Sequence, residues 1–461
     1  MTRVFASLSL WALVLLSGTG CAALPETDAL IKRHAGQAAR FESAKGPVSE
    51  RGSAAILAKL KQKSGAIDIL DKQIALESAI GGGPLVLGNK VTLLLDGPAT
   101  YAAMFAAIRK AQNHINMETY IIEDDEIGHQ FAELLIQQQT RGIQVNLIYD
   151  SVGALSTPRE FFDRLRQAGV AVLEYNPINP LQARQAWALN QRDHRKLLVV
   201  DGQVAFLGGI NISSVYSSGS GARRAAKADR DKVAWRDTHL QINGPVVAEF
   251  QKLFLQTWEK QRGPPLASKA YFPTLTAQGQ DMVRAVGSTP DDPFSLIYLT
   301  LISAIGNAEK NVHITSAYFV PDPQLIKAVT GAAARGVDVK LILPSHSDSS
   351  IVFHAGRAHY ASLLRGGVKV FERGGALLHS KTASIDGVWS TVGSTNLDWR
   401  SFIDNDEINA VVIGHDFAED MHTMFLNDLK ASEAIHPEAW EQRPPVNRLK
   451  EWMASFWQRL L

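Results

Sequence analysis

Two stretches of the sequence decide the architecture: DHRKLLVVDGQVAFLGGIN at residues 193–211 and LHSKTASIDGVWSTVGSTN at residues 378–396. Each contains a His-x-Lys-x4-Asp motif, and each continues with glycine and asparagine at the same spacing. One constant offset separates the matching positions. His194, Lys196, Asp201, Gly208 and Asn211 of the first copy correspond, in that order, to His379, Lys381, Asp386, Gly393 and Asn396 of the second. A single copy of such a motif is a weak signal, whereas two copies in one register indicate an internal duplication.

A second register supports the duplication. Downstream of each motif the residues Asp237, Gly244, Ala248 and Glu249 match Glu407, Gly414, Ala418 and Glu419, again with one constant offset. Each half therefore carries a carboxylate, Asp237 or Glu407, after its histidine motif.

The segments around the motifs repeat one order of helices and strands. In the first half the hydrophobic pattern predicts helices at 98–112, 128–139 and 158–167 and strands at 115–122, 145–149 and 170–175. In the second half it predicts helices at 293–308 and 323–335 and strands at 337–343 and 368–371. This alternation predicts an α/β fold of two pseudo-twofold-related domains, each a mixed, mostly parallel sheet flanked by helices.

Breaker residues give the domain boundaries. The run Gly81-Gly82-Gly83-Pro84 and the run Gly263-Pro264-Pro265 separate the periodic segments. We expect a leader at 1–21, a helical spacer at 22–84, a first domain at 85–264, a linker at 265–285, a second domain at 286–435 and a C-terminal amphipathic helix at 436–461. The apolar face of that last helix is expected to pack on the domain, with a bilayer interface as the alternative.

The N-terminus has the pattern of an export signal. Arg3 precedes an apolar run at 4–16, small residues follow at 17–20, and Cys21, the single cysteine, ends the segment. The pattern resembles a bacterial lipoprotein signal, although Gly18 stands where leucine is usual. We therefore expect an exported protein, tethered to the membrane through acylated Cys21 and facing the periplasm. A plain signal peptide or an uncleaved anchor is the alternative.

The motif residues suit phosphoryl-transfer chemistry. Positions i and i+2 of a strand share a face, so the histidine and lysine of each motif project together. Two facing halves would surround one anion with two histidines, two lysines and two asparagines, and no metal or cofactor is expected. One histidine can attack phosphorus while the other protonates the leaving oxygen. The further candidates are Asp237 and Glu407 as histidine-orienting groups, Asn211, Asn396, Gly209 and Ser394 as phosphate-binding groups, and Asp201 and Asp386 as catalytic groups or as turn formers.

The duplicated motif resembles the phospholipase D superfamily from about residue 88 to residue 429. Within it, the stretches GNKVTLLLDG, METYIIEDD, WRDTHLQINGP and GSTNLDWRSFIDNDEINAVV are similar to bacterial cardiolipin synthases. The resemblance implies that His194 becomes a phosphohistidine, that His379 is acid and then base, and that Lys196, Lys381, Asn211 and Asn396 hold the phosphate.

The resemblance also implies an activity, the transfer of a phosphatidyl group onto phosphatidylglycerol to form cardiolipin. The expected partners are phospholipid and a membrane surface, and the enzyme is expected to work as a monomer. The alternatives are a phospholipase D that hydrolyses phospholipids to phosphatidic acid and a catalytically inactive lipid-binding protein. A nuclease is disfavoured, because the net charge is only +1 and no long basic stripe is present.

Overall fold

The computed structural model describes residues 24, 27–34, 39–64, 69–183, 188–218 and 234–461. The predicted leader with Cys21 lies outside these ranges, so its acylation stays a prediction. Across the part of the chain that is described, none of the helices is both long and apolar enough to span a bilayer.

The N-terminal region combines helices with a short hairpin. Its elements are α1 (Thr27–His34), β1 (Phe41–Ser43), β2 (Gly46–Pro47), α2 (Glu50–Ser64), a π-helical turn (Ile69–Gln73) and α3 (Ile74–Ala79). Strand β1 pairs in parallel with the first strand of the next region. The predicted spacer therefore extends the sheet as well as supplying helices.

The first half follows the predicted order. Its elements are β3 (Leu85–Leu94), α4 (Gly97–Lys110), β4 (His114–Thr119), α5 (Glu126–Thr140), β5 (Gln144–Asp150), α6 (Arg159–Gln167), β6 (Ala171–Tyr175), β7 (Arg192–Asp193), β8 (Lys196–Val200), β9 (Val204–Gly208), β10 (Trp235–Arg236), β11 (His239–Asn243) and α7 (Val247–Lys260).

The second half repeats this order and adds helices at its end. Its elements are β12 (Asp281–Ser288), α8 (Leu296–Gly306), β13 (Asn311–Ser316), α9 (Pro323–Ala334), β14 (Asp338–Pro344), α10 (Ser350–Arg357), α11 (Tyr360–Arg365), β15 (Lys369–Arg373), β16 (Leu377–Leu378), β17 (Lys381–Ile385), β18 (Trp389–Gly393), α12 (Trp399–Ile403), β19 (Asn405–Ile413), α13 (His415–Lys430), β20 (Ser432–Ala434), α14 (Pro437–Glu441) and α15 (Pro445–Ser455).

Local sequence explains where the helices begin and end. Asp96, Asp125 and Asp322 precede α4, α5 and α9, and each carboxylate accepts N–H bonds from the first turn. Gly142 and Gly336 follow α5 and α9 with φ of 86° and 91°. Because this left-handed conformation favours glycine, these two residues end the helices where the sequence predicts.

The predicted mixed α/β architecture is confirmed, and the two halves have matching strand orders. The first half runs β6-β5-β4-β8-β9-β11-β3, and the second runs β15-β14-β13-β17-β18-β19-β12. The pairs β4–β5, β5–β6, β13–β14 and β14–β15 are parallel, and the remaining pairs in these orders are antiparallel. The parallel portion is thus smaller than predicted, because each motif returns through a hairpin (β8–β9, β17–β18) and not through a crossover.

The two halves join into one continuous sheet. Strand β3 pairs antiparallel with β12, which in turn pairs antiparallel with β19 over seven residue pairs. Because β12 begins at Asp281, the predicted linker end at residue 285 falls inside a strand, and the connection ends at residue 280. The apolar faces of this sheet are covered by helices from both halves, and a buried cluster of residues from β3, β12 and β19 spans the joint.

Candidate active site

The two motifs meet where short strands cross between the halves. Strand β7 pairs in parallel with the start of β19, and β10 pairs in parallel with β16. At their ends the His194 N–H donates to the Asp406 carbonyl at 2.9 Å, and the His379 N–H donates to the Arg236 carbonyl at 2.8 Å. Each histidine is therefore fixed by the residue that precedes the carboxylate of the other half.

The histidine–carboxylate pairs are crossed. The Nδ1 atom of His194 lies 3.0 Å from Glu407 Oε1, and the Nδ1 atom of His379 lies 2.6 Å from Asp237 Oδ2. All four side chains are buried. An ionised carboxylate only accepts hydrogen bonds, so each Nδ1 carries the proton and each Nε2 keeps a free lone pair.

Burial sets the protonation of these pairs. It lowers the pKa of His194 and that of His379 to about 4, although Glu407 and Asp237 oppose the shift. Burial also opposes ionisation of the two carboxylates. The lysine and histidine beside each carboxylate outweigh this effect of burial. The pKa of Asp237 and that of Glu407 therefore lie below their ordinary values. The site at neutral pH thus holds two neutral imidazoles and two carboxylates.

The two lysines share this buried space. Lys196 donates to the His194 carbonyl, Lys381 donates to the His379 carbonyl, and Lys381 Nζ lies 3.0 Å from His379 Nδ1. Burial lowers the pKa of Lys196 to about 7 and that of Lys381 to about 8, and the Lys381 charge contributes to the shift of Lys196. The two ammonium groups are thus close enough to repel each other, and an anion between them would relieve that repulsion.

The two asparagines of the motif segments are both buried. The Asn211 amide donates to Tyr216 Oη at 3.2 Å, and Tyr216 Oη lies 3.2 Å from His379 Nδ1. Asn396 is buried, and its Oδ1 atom has no hydrogen-bond partner among the described residues. Asn211 is therefore connected to His379 through Tyr216, while Asn396 keeps a buried polar atom available to another group.

Gly209 and Ser394 contact the carboxylates instead of the predicted phosphate position. A Cβ atom at Gly209 would lie 2.3 Å from Asp237 Oδ1, so glycine makes room for that carboxylate. Ser394 Oγ donates to Glu407 Oε2. Because the carboxylates stand behind the imidazoles, we reassign these two positions from phosphate binding to carboxylate support.

Asp201 and Asp386 lie at the far ends of β8 and β17 from the histidines. Asp201 accepts the backbone N–H groups of residues 112, 113 and 114 at 2.7 to 3.0 Å. Asp386 accepts those of residues 309, 310 and 311 at 2.7 to 3.0 Å. The structure does not bring them to the site, and this corrects their placement among the catalytic candidates. Their carboxylates bind the chain entering β4 and β13.

Aromatic side chains complete the surroundings. The Tyr120 ring lies 5.0 Å from the His194 ring, and the Trp235 ring lies 4.9 Å from the His379 ring. Tyr216 and Trp235 were missed by sequence reasoning. The duplication offers no signal for them, since Ser401 and Asn405 occupy the corresponding positions of the second half. Asn405 instead donates to Glu407 at 3.3 Å.

Comparisons with known proteins agree with this fold. The sequence matches the family described as "Cardiolipin synthase, PLD-like domain" over residues 104–220 and 301–429. It is 34% identical to a cardiolipin synthase of Geobacillus kaustophilus, over 84% of this chain and 76% of that protein. It is 36% identical to a cardiolipin synthase A of Pseudomonas putida, over 78% of this chain and 72% of that protein.

A solved structure supports the fold alone. The phosphatidylserine synthase of Haemophilus influenzae superposes with a TM-score of 0.59 at 13% identity, covering 88% of this chain and 100% of that one. The duplicated sheet and the paired His-Lys motifs define an enzyme of the phospholipase D superfamily. Within that superfamily, the chain belongs to the cardiolipin synthase family with phospholipase D-like domains.

Proposed function

We propose that this enzyme forms cardiolipin by moving a phosphatidyl group onto the free hydroxyl of phosphatidylglycerol through a phosphohistidine. The observation that carries the proposal is the crossed pair of buried histidines, each bound to a carboxylate of the other half and each contacted by the buried lysine of its own motif. The names of the curated relatives support the same substrate class.

In the first step Nε2 of His194 attacks the phosphorus of the donor lipid. Binding of the anionic phosphodiester favours protonation of His379, and its Nε2 takes up a proton from solvent before the attack. The phosphorus–oxygen bond to the headgroup alcohol then breaks, and the departing oxygen takes this proton. Lys196, Lys381, Asn211 and Asn396 donate to the phosphate oxygens as charge develops. Glu407 keeps Nε2 of His194 unprotonated, and Asp237 stabilises the protonated form of His379.

In the second step His379 acts as the base. It removes the proton from the hydroxyl of phosphatidylglycerol, whose oxygen attacks the phosphohistidine. The phosphorus–nitrogen bond breaks and returns its electron pair to His194. With phosphatidylglycerol as the donor, the products are cardiolipin and glycerol. The buried, aromatic surroundings of the histidines favour transfer to an alcohol over transfer to water.

The proposal includes a place of action. The sequence pattern at residues 1–21 supports export and acylation at Cys21, so the catalytic domains would act at a periplasm-facing membrane surface. The mass of the mature N-terminal peptide tests this, since acylation adds a mass that the bare cysteine lacks.

A mass-spectrometric product assay on phosphatidylglycerol micelles tests the reaction. Wild type is expected to yield cardiolipin and glycerol in equal amounts, and His194→Ala and His379→Ala are expected to yield neither. His346→Ala is a matched control, because this histidine lies outside the crossed pairs, and it should retain activity.

Two outcomes would overturn the proposal. Phosphatidic acid without cardiolipin would make the enzyme a phospholipase D hydrolase. Retention of lipid binding with no product from any phospholipid would point to a catalytically inactive lipid-binding protein.

A further inference from the structure

The C-terminal helix turns its large apolar side chains outward. Trp452, Phe456 and Trp457 are 59%, 67% and 56% exposed. Neighbouring apolar side chains on α15 and the turn after it are exposed as well. Together they form what we call the C-terminal apolar face: Val446, Leu449, Trp452, Met453, Phe456, Trp457 and Leu460.

The inward side of the same helix is small and charged. Glu451 is 2% exposed and bonds Arg443 at 2.7 Å, and Ala454 packs against Val320 and Ala355. The expectation that the apolar face packs on the domain is therefore wrong. A helix that buries its glutamate, and that exposes one tryptophan itself and a second in the turn after it, is oriented for an apolar environment outside the protein.

The charges beside this face identify the environment. Among residues 445–461 the charged side chains that reach the surface are Arg448, Lys450 and Arg459, all of them basic, while the single acid, Glu451, is buried. Tryptophans beside basic residues are typical of a helix lying in the headgroup layer of an anionic bilayer.

The face is physically connected to the active site. The Arg400 N–H donates to the Leu461 carbonyl at 3.1 Å, and the Arg400 guanidinium donates to the Asn190 carbonyl at 3.4 Å. Arg400 lies four residues after Asn396, and Asn190 lies four residues before His194. Arg459 also stacks on Trp399, 5.6 Å from the ring centroid. Both motif segments are thus held against the C-terminus.

We propose that the C-terminal apolar face inserts into the headgroup region of an anionic bilayer and sets the two-histidine site at the lipid surface. This inference rests on the proposed function for its purpose, because the substrate phosphates lie in that layer. The docking itself depends only on the exposed apolar and basic side chains. Arg400 transmits the position of the docked helix to both motif segments.

Fluorescence quenching by brominated phosphatidylglycerol vesicles tests the insertion on the full-length chain. Wild type is expected to be quenched. The variant Trp452→Phe/Trp457→Phe keeps the apolar face but removes two of the nine tryptophans, so most of the quenching should disappear. Equal quenching of wild type and this variant would overturn the proposal.

Activity at a lipid surface provides the second measurement. Phe456→Asp/Trp457→Asp is expected to lower cardiolipin formation on phosphatidylglycerol vesicles at least about tenfold, since burying charge among lipids is unfavourable. Turnover of monomeric short-chain phosphatidylglycerol should stay within about twofold, because both residues are exposed and outside the catalytic site. Phe272→Asp is the matched control: this exposed phenylalanine lies in the connection between the halves and should leave both activities unchanged.

The two proposals fail in different ways. If no phospholipid gives cardiolipin but the quenching difference remains, the proposed reaction fails and the docking stands. The docking fails if two results are found together: the wild type is a dimer that the Phe456→Asp/Trp457→Asp substitution dissociates, and brominated lipid does not quench the fluorescence of the wild type. The C-terminal apolar face would then be a protein interface.

Discussion

At the scale of single residues, the proposed reaction gives the two histidines different tasks that can be separated. Glu407→Gln presents an amide N–H to Nδ1 of His194 and moves the imidazole proton to Nε2, which blocks attack. We expect kcat on phosphatidylglycerol to fall by about 10²- to 10⁴-fold with KM little changed. Asp237→Asn should give a loss of similar size, because His379 is equally misoriented.

A p-nitrophenyl phosphodiester distinguishes the two roles, since nitrophenolate leaves without an acid. In the first turnover Asp237→Asn should release nitrophenol nearly as fast as wild type, whereas Glu407→Gln should not. Glu419→Gln, at an exposed position, is the control. The reverse pattern would make His379 the nucleophile.

The lowered lysine pKa values predict how anion binding depends on pH. A lysine is cationic below its pKa, so Lys196 loses its charge as pH rises through about 7 and Lys381 through about 8. Affinity for glycerophosphoglycerol, a phosphodiester of constant charge, should therefore fall as pH rises above neutrality, by up to about tenfold per pH unit for each lysine that loses its charge. Calorimetric titration across pH measures this, and proton uptake on binding should accompany it near pH 7.

The matched variant for this titration is Lys196→Met, which removes the lower of the two transitions. It should bind the diester more weakly at every pH and with less pH dependence near 7. An affinity that stays constant from pH 6 to pH 9 in the wild type would contradict the assignment of these lysines to the phosphate.

Residue types alone were enough to select the two histidines, two lysines and two asparagines as site candidates, because few kinds of side chain can bind an anion. The supporting roles of Gly209 and Ser394 were not predictable in the same way. These roles depend on contact with a carboxylate from another strand. The sequence around Gly209 or Ser394 does not show which distant residues will lie next to it.

At the scale of elements, the motif aspartates hold the starts of β4 and β13, the strands that pair with the motif strands β8 and β17. Asp201 and Asp386 both have φ of 55°, which asparagine tolerates, so Asp→Asn removes the charge without new backbone strain. Each variant should lose about 1–3 kcal/mol of stability, since an amide nitrogen faces a backbone N–H in place of an acceptor. Urea unfolding measures this.

The activity of the same variants decides between support and catalysis. The kcat per folded molecule of Asp201→Asn and of Asp386→Asn should remain within about threefold of wild type, since neither carboxylate reaches the histidines. A loss comparable to that of Glu407→Gln would restore these residues to the catalytic set.

Helices α7 and α13 were not predicted, whereas helices α4, α5, α6, α8 and α9 and the outer strands of each half were predicted to within a few residues, because amphipathic periods, aspartate caps and glycine stops are local signals. Strands β3, β11, β12 and β19 were not. Every residue of β19 is buried, so it shows no alternation of polar and apolar side chains. A strand with both faces covered is recognised only from the elements that cover it.

At the scale of the whole molecule, neither half contains a complete site. Each histidine receives its carboxylate from the other half. The pairing of β3 with β12 and of β12 with β19 holds the halves together, and this pairing does not depend on the segment that connects them. A protease site inserted between Ala267 and Ser268, both exposed, should therefore allow cleavage without separation of the fragments. The cleaved enzyme should elute as one species and keep most of its activity.

Urea added to the cleaved enzyme should release the fragments and abolish activity, and mixing after dilution should restore part of it. An isolated fragment with measurable transferase activity would contradict the shared site.

The sequence by itself determined the duplication, the order of the outer strands and the helices between them, and the residue types that we propose to hold the phosphate. These follow from local periodicity and from the chemistry of histidine, lysine and asparagine. Only the tertiary structure decided that Glu407 serves His194 and Asp237 serves His379, and that the C-terminal helix faces outward. Both depend on which distant surfaces meet, and the free energy that selects those contacts comes from burying residues far apart in the chain.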